Sequence, residues 1–237
     1  MNRPYIICHM VTSIDGKVTG EFLDMSESSD AVSVYYEINR NYKADAFACG
    51  RITMEGSFTG GWYPNLEKYA NIKIAREDYV ADNMANFYAV SFDRFGKLGW
   101  KSSHLIDEDP GYDKAHIIEV LCEETSDEYL AYLKDIGVSY IFSGKNEMNL
   151  DLVFSKLYSL FGIKTLLLEG GSIINGAVQI ENYIDELSLV VSPIVSNSND
   201  KPLFNNSRVE TYYLKESKVY NGNVIWLNYK KSKSEIS

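Results

Sequence analysis

The chain has 237 residues, with 23 Lys and Arg against 33 Asp and Glu for a formal charge of −10, and it is 45% apolar and 24% charged. Those fractions describe an ordinary globular chain long enough for a full core, and the negative balance argues against nucleic acid or an anionic membrane as a general partner. No apolar run approaches the roughly 20 residues that cross a bilayer, and no small-residue cleavage site follows Met1, so a cytoplasmic protein is expected.

In chain order, Tyr5 to Val11 predicts a buried strand, ended by a turn over Thr12 to Lys17 around Gly16. Val32, Tyr35, Tyr36 and Ile38 fall at near-helical spacing and predict a helix over Ala31 to Tyr42, leading into a strand at Ala44 to Cys49. A Gly- and aromatic-rich loop is expected at Ser57 to Pro64, then strands at Phe87 to Phe92, Lys97 to Leu105 and His116 to Cys122. The second half predicts helices at Ser126 to Ile136, Asn149 to Phe161 and Ile173 to Asn182, alternating with strands at Ser139 to Phe142, Lys164 to Glu169 and Glu186 to Val191. Such alternation implies crossover connections and a largely parallel sheet covered by helices, an α/β fold. Tyr212 to Tyr220 and Val224 to Tyr229, around Asn221-Gly222-Asn223, read as a closing antiparallel hairpin, and the tail Lys230 to Ser237 is expected to fray. No repeat or linker interrupts the chain, so one domain over 1–237 is expected. Cys8, Cys49 and Cys122 read as reduced buried thiols, and His9, His104 and His116 show no metal-ligand spacing, so no metal is expected.

Three strand ends carry residues suited to phosphate. Leu168-Glu169-Gly170-Gly171-Ser172 is a strand ending in an acid and two glycines before a helix, whose first N–H groups attract an anion. On its own such a turn is equally explained by tight packing. Gly50-Arg51-Ile52-Thr53 follows a second strand with a cation and a hydroxyl, although Arg51 alone reads as a surface cation. Ser91 and Arg94 stand at a third strand end. Ligands of open α/β sheets gather at such ends, so the three together suggest a phosphate-rich cofactor.

Gly50-Arg51-x-Thr53, the Ser91 strand end and the Gly170-Gly171 turn resemble, in sequence and order, the NADPH-binding elements of the dihydrofolate reductase superfamily. Ser13-Ile14-Asp15-Gly16-Lys17, Glu169-Gly170-Gly171, Gly176 and Ile184-Asp185-Glu186-Leu187 are most similar to the riboflavin-pathway pyrimidine reductases. The similarity covers nearly the whole chain and is least informative from Pro64 to Phe161.

The resemblance implies a dihydrofolate reductase-like fold, NADPH as cofactor, a small-molecule substrate and a homodimer. It places Val11, Gly50, Arg51, Thr53, Ser91, Arg94, Gly170, Gly171, Ser172, Ile173, Ile174 and Asn175 at the cofactor, with Arg51 and Arg94 near the 2′-phosphate. Glu169 and Asp15 are the implied catalytic groups, with the proton assigned to neither, and Arg40, Ser28 and Glu169 would meet substrate. The implied reaction is hydride transfer to C1′ of the ribosylamino group of a phosphorylated aminopyrimidine. Two segments depart from the family. Ser57-Phe58-Thr59-Gly60-Gly61-Trp62 replaces an acidic Asp-Asp-Pro segment, and Met25 to Val32, with Ser26 or Ser28, replaces a Ser-x-Trp-Ile segment. A reductase for a dihydropterin or another small imine or carbonyl compound therefore stands as an alternative, as does a non-catalytic NADPH-binding module. No His-x-Glu with Pro-Cys-x-x-Cys, the mark of a zinc deaminase, is present.

Overall fold

The structure is a computed structural model that describes residues 2–232. Its strands are β1 (Tyr5–Thr12), β2 (Ala46–Gly50), β3 (Tyr88–Phe92), β4 (His116–Leu121), β5 (Ser139–Phe142), β6 (Thr165–Leu168), β7 (Glu186–Val191), β8 (Tyr212–Val219) and β9 (Ile225–Lys231). The α-helices are α1 (Ser29–Tyr42), α2 (Arg51–Met54), α3 (Asp127–Asp135), α4 (Leu150–Phe161) and α5 (Ser172–Ile180). The fold is α/β with mostly parallel strands, intervening helices and a C-terminal antiparallel hairpin, as the alternation predicts. The chain divides into two compact units, one built on Ala44–Leu166 and the other on Tyr5–Lys43 with the chain from Leu167 onward.

In the first unit β5, β4, β3 and β2 lie side by side and parallel. Every residue of β3, β4 and β5 is buried, which explains why they read as continuous apolar runs rather than alternating ones. Helix α3 starts where the Ser126 side chain accepts the Tyr129 N–H, and α4 where Asn149 accepts from Leu152, so both N-termini are written in cap residues. In the second unit β1 pairs parallel with β7, β7 antiparallel with β9, and β9 with β8. Helix α1 buries Ala31, Val34 and Ile38 against Val190 and Val224, with Val11 packed beside them.

Three expectations need correction. Lys97 to Leu105 forms no strand; its one bridge is His104 to His116, and the carbonyls of Leu98 and Trp100 accept the hydroxyls of Tyr129 and Tyr132 instead of a neighbouring strand. The loop expected from Ser57 begins helical, because α2 runs on into a π-turn over Glu55–Thr59 that Gly60 ends at φ 58°. Lys230 and Lys231 do not fray: they pair in β9 with β7 on one side and β8 on the other, while the tail from residue 233 lies outside the described residues. Among the described residues no helix is long and apolar enough to cross a membrane.

Candidate active site

In the second unit Glu169 follows β6 directly and is 7% exposed. A carboxylate is costly to bury without donors, and Asn39 of α1 supplies one, its Nδ2 donating to Glu169 Oε1 at 2.6 Å. Burial first, and then the charge of Glu169, push the Cys8 thiol on β1 far above its ordinary range, so Cys8 stays protonated beside the acid. Asn39 is a site residue that the sequence reading did not name. Its signal is a polar side chain on the buried stripe of α1 that carries Ala31, Val34 and Ile38.

The chain then turns through Gly170, at φ +99°, and a cis peptide bond to Gly171. A Cβ at Gly170 would stand 3.2 Å from Met10 Cε, so the turn passes tightly over β1. Helix α5 opens at Gly171 with no side chain capping it, which leaves its first N–H groups to an acceptor from outside the helix. The side chains of that helix point elsewhere. Ser172 Oγ donates to the Pro202 carbonyl at 2.5 Å, Asn175 Nδ2 to the Leu203 carbonyl at 3.2 Å, and Gln179 exchanges bonds with the backbone of Arg208 at 2.9 and 2.7 Å. Ser172 and Asn175 thus hold the 202–208 segment, Ile174 is buried, and Ile173 is 67% exposed.

Asp15 sits in the turn after β1, where Oδ1 accepts the Ser13 hydroxyl at 2.7 Å and the Ser196 N–H at 2.9 Å. The Ser13 bond, then the Ser196 bond, hold its carboxyl below the ordinary range, so Asp15 remains an anion that clasps two loops. Ser28 is fully buried, its hydroxyl paired with that of Ser192 at 2.9 Å. Arg40 is exposed near the end of α1, and Val11 is half-buried.

In the first unit Gly50 caps the short α2, and Arg51 pairs with Glu55 at 2.9 Å. Thr53 is half-buried on the same turn. Ser91 is fully buried opposite Glu119 in the β3–β4 register, and its hydroxyl has no hydrogen-bond partner. Arg94 is exposed, donates to the Asn146 carbonyl and lies 4.7 Å over the Phe95 ring. Between them Asp93 is buried, and burial raises its acid against the pull of the Leu98 and Lys97 N–H groups and of Arg51. Arg51 is thus a partly exposed cation that pairs with Glu55 and attracts the buried Asp93.

Residues 100–225, more than half of the chain, match the family described as RibD C-terminal domain. A 2,5-diamino-6-ribosylamino-4(3H)-pyrimidinone 5′-phosphate reductase from Aquifex aeolicus is 29% identical over 89 residues. That match takes in 38% of this chain and spans 39% of that relative's length. Among solved structures, a pyrimidine reductase-like protein from Corynebacterium diphtheriae superposes with a TM-score of 0.69 at 17% identity, over 98% of this chain and 94% of its own. RibD of Acinetobacter baumannii superposes at 0.66 with 18% identity, over 98% of this chain and 59% of its own. At these identities the structural likeness shows a shared fold.

Proposed function

The chain belongs to the RibD C-terminal domain family, and from that premise we propose that it is a pyrimidine reductase of riboflavin biosynthesis, using NADPH to reduce the ribosylamino group of a phosphorylated aminopyrimidine at C1′. The observation that carries this reading is the buried Glu169, held by Asn39 and followed at once by the Gly170-Gly171 turn and the uncapped start of α5. A buried acid beside a ready-made anion seat suits a reaction between a small polar substrate and a phosphate-bearing cofactor. The Aquifex aeolicus relative, named as a reductase of such a pyrimidine, supports the substrate class.

The residues present fit a dinucleotide at this turn. Two glycines leave the backbone bare, and the free N–H groups at the start of α5 would take a phosphate oxygen. When bound, the reduced nicotinamide supplies the hydride. Glu169, held by the Asn39 amide, orients the ribosylamino group or handles its one proton. Asp15 keeps its charge and fixes the Ser13–Lys17 turn against the Ser196 segment rather than moving a proton. Arg51, at the turn after β2, is the proposed contact for the 2′-phosphate that separates NADPH from NADH.

Titration of the purified protein with NADPH and NADH, followed by nicotinamide fluorescence, tests the cofactor. Micromolar binding of NADPH in preference to NADH is expected. NADPH oxidation on a panel of phosphorylated ribosylaminopyrimidines and dihydropterins then tests the substrate, and turnover confined to the dihydropterins would transfer the proposal to that class. Failure to bind either nucleotide would sink the reductase reading.

A further inference from the structure

We infer that Asp82, His104 and His116 form a binding site for one divalent transition-metal ion of the zinc class, with its remaining position left to water. All three belong to the first unit, and one ligand atom from each lies within 4.8 Å of the other two. The backbone sets the pair of histidines. Leu105 N donates to the Ala115 carbonyl and Ile117 N to the Ser103 carbonyl, both at 2.9 Å, so His104 and His116 face each other as an antiparallel bridge. Their ring centroids are 5.0 Å apart with the planes at 64°.

The second observation is an orphaned nitrogen. His116 is 1% exposed, its Nε2 pairs with Ser139 Oγ at 2.8 Å, and its Nδ1 is buried with no hydrogen-bond partner. A buried polar atom without a partner is costly and asks for one. His104 shows the complementary arrangement: Nδ1 pairs with Ser103 Oγ at 2.8 Å, which leaves Nε2 for an ion. A ligating histidine commonly has its other ring nitrogen tied down in this way, fixing tautomer and orientation. Asp82 Oδ1 accepts the Met84 N–H at 2.7 Å, which holds the carboxylate in place at the edge of the cluster.

Two imidazoles and one carboxylate suit zinc, cobalt or nickel rather than magnesium or calcium, which prefer oxygen throughout. Tetrahedral zinc at about 2.0–2.1 Å from nitrogen needs its ligand atoms about 3.4 Å apart, so the side chains must draw in by about 1 Å. Asp82 and His104 are only half-buried and can make that adjustment, and their exposure gives the ion a way in. Binding would cross-link the segment around Asp82 and the loop around His104 to β4.

The test uses the full chain stripped with chelator and titrated with zinc chloride by calorimetry, with cobalt(II) as a spectroscopic substitute. The expected result is one equivalent of zinc per chain, with affinity at least tenfold weaker in Asp82→Asn and in His104→Gln. Zinc at a hundredfold excess over Kd should raise Tm by about 5 °C or more. Cobalt should give the intense visible bands of a four-coordinate ion. No stoichiometric binding, or binding that both variants retain in full, would overturn the assignment. If either variant loses its fold, the wild-type cobalt spectrum decides: four-coordinate bands support the site, and the weak spectrum of the hydrated ion overturns it.

Discussion

Glu169 and Arg51 carry the sharpest predictions at the level of single residues. Glu169→Gln keeps the shape of the side chain and one acceptor for Asn39 but removes the charge and the exchangeable proton. If Glu169 acts on the substrate, kcat for pyrimidine reduction falls about 100-fold while the Kd for NADPH stays within twofold. Asn39→Ala acts through Glu169 rather than on substrate. It takes away the 2.6 Å donor, so the carboxylate loses its orientation and kcat falls about tenfold with NADPH affinity unchanged. Loss of this buried hydrogen bond to a carboxylate also costs about 1.5–3 kcal/mol of stability, readable as a lower urea midpoint. A variant with full activity would show that the bond is structural alone. Arg51→Ala should behave in the opposite way, leaving kcat at saturating cofactor near wild type and weakening NADPH about tenfold while NADH changes little. Its pairing with Glu55 is a helix-surface ion pair worth only about 0.3–0.5 kcal/mol, so a 2′-phosphate can replace it cheaply. Equal weakening of both nucleotides would remove Arg51 from the 2′-phosphate.

Among the elements, α5 shows how a helix can serve a site mainly by holding something else. Gly176 faces the 205–206 backbone so closely that a Cβ would sit 2.5 Å from the Asn206 carbonyl oxygen. Alanine at this position would gain about 1 kcal/mol of helix propensity and yet force the 202–208 segment away from Ser172, Asn175 and Gln179. Gly176→Ala is therefore expected to lower stability by about 1–3 kcal/mol net, a Tm drop of several degrees by calorimetry; a gain in Tm would show that the segment yields freely. The elements most legible in the sequence are those whose ends are marked chemically. Strands β5 and β7 fall on their expected bounds, α4 starts just after its cap Asn149, and the β8–β9 hairpin turns at Asn221–Asn223. Lys97 to Leu105 was misread because Leu98, Trp100 and Leu105 are buried, as in a strand, while tyrosine hydroxyls from α3 satisfy two of the backbone carbonyls. No local pattern announces a long-range partner of that kind. The same limit hid Asn39, whose role depends on Glu169, 130 positions away, and the meeting of Asp82 with two histidines. Glu169 and the glycine turn were legible because a strand, an acid and two glycines are adjacent in the chain.

For the molecule as a whole, the pH dependence of stability sets buried groups of opposite sign against one another. His9, fully buried on β1 between Ser188 and the Tyr35 carbonyl, has its pKa lowered by burial from 6.5 to about 4. Between those values the unfolded chain binds a proton that the folded chain refuses, so stability is lost as pH falls through this window. Glu119, fully buried on β4 and donated to by the Trp100 indole, is raised well above 4.5, by burial first and by the charge of Asp93 next. Above pH 4.5 the unfolded chain releases a proton that the folded chain keeps, so this group takes stability away as pH rises. The two effects oppose one another between pH 5 and 6, where His116, its pKa lowered by burial to about 4, acts in the same sense as His9. Glu119→Gln removes one side of the balance: its carbonyl oxygen can still accept the indole, and its amide replaces the oxygen left without a partner. Urea denaturation of the two proteins in chelator-treated buffer across pH 5 to 6 should give the variant the steeper rise of stability with pH. The variant should gain on the wild type at every step upward. Parallel profiles would mean that Glu119 ionises inside the folded protein, and its buried oxygen would then need a cation or water close by to account for it.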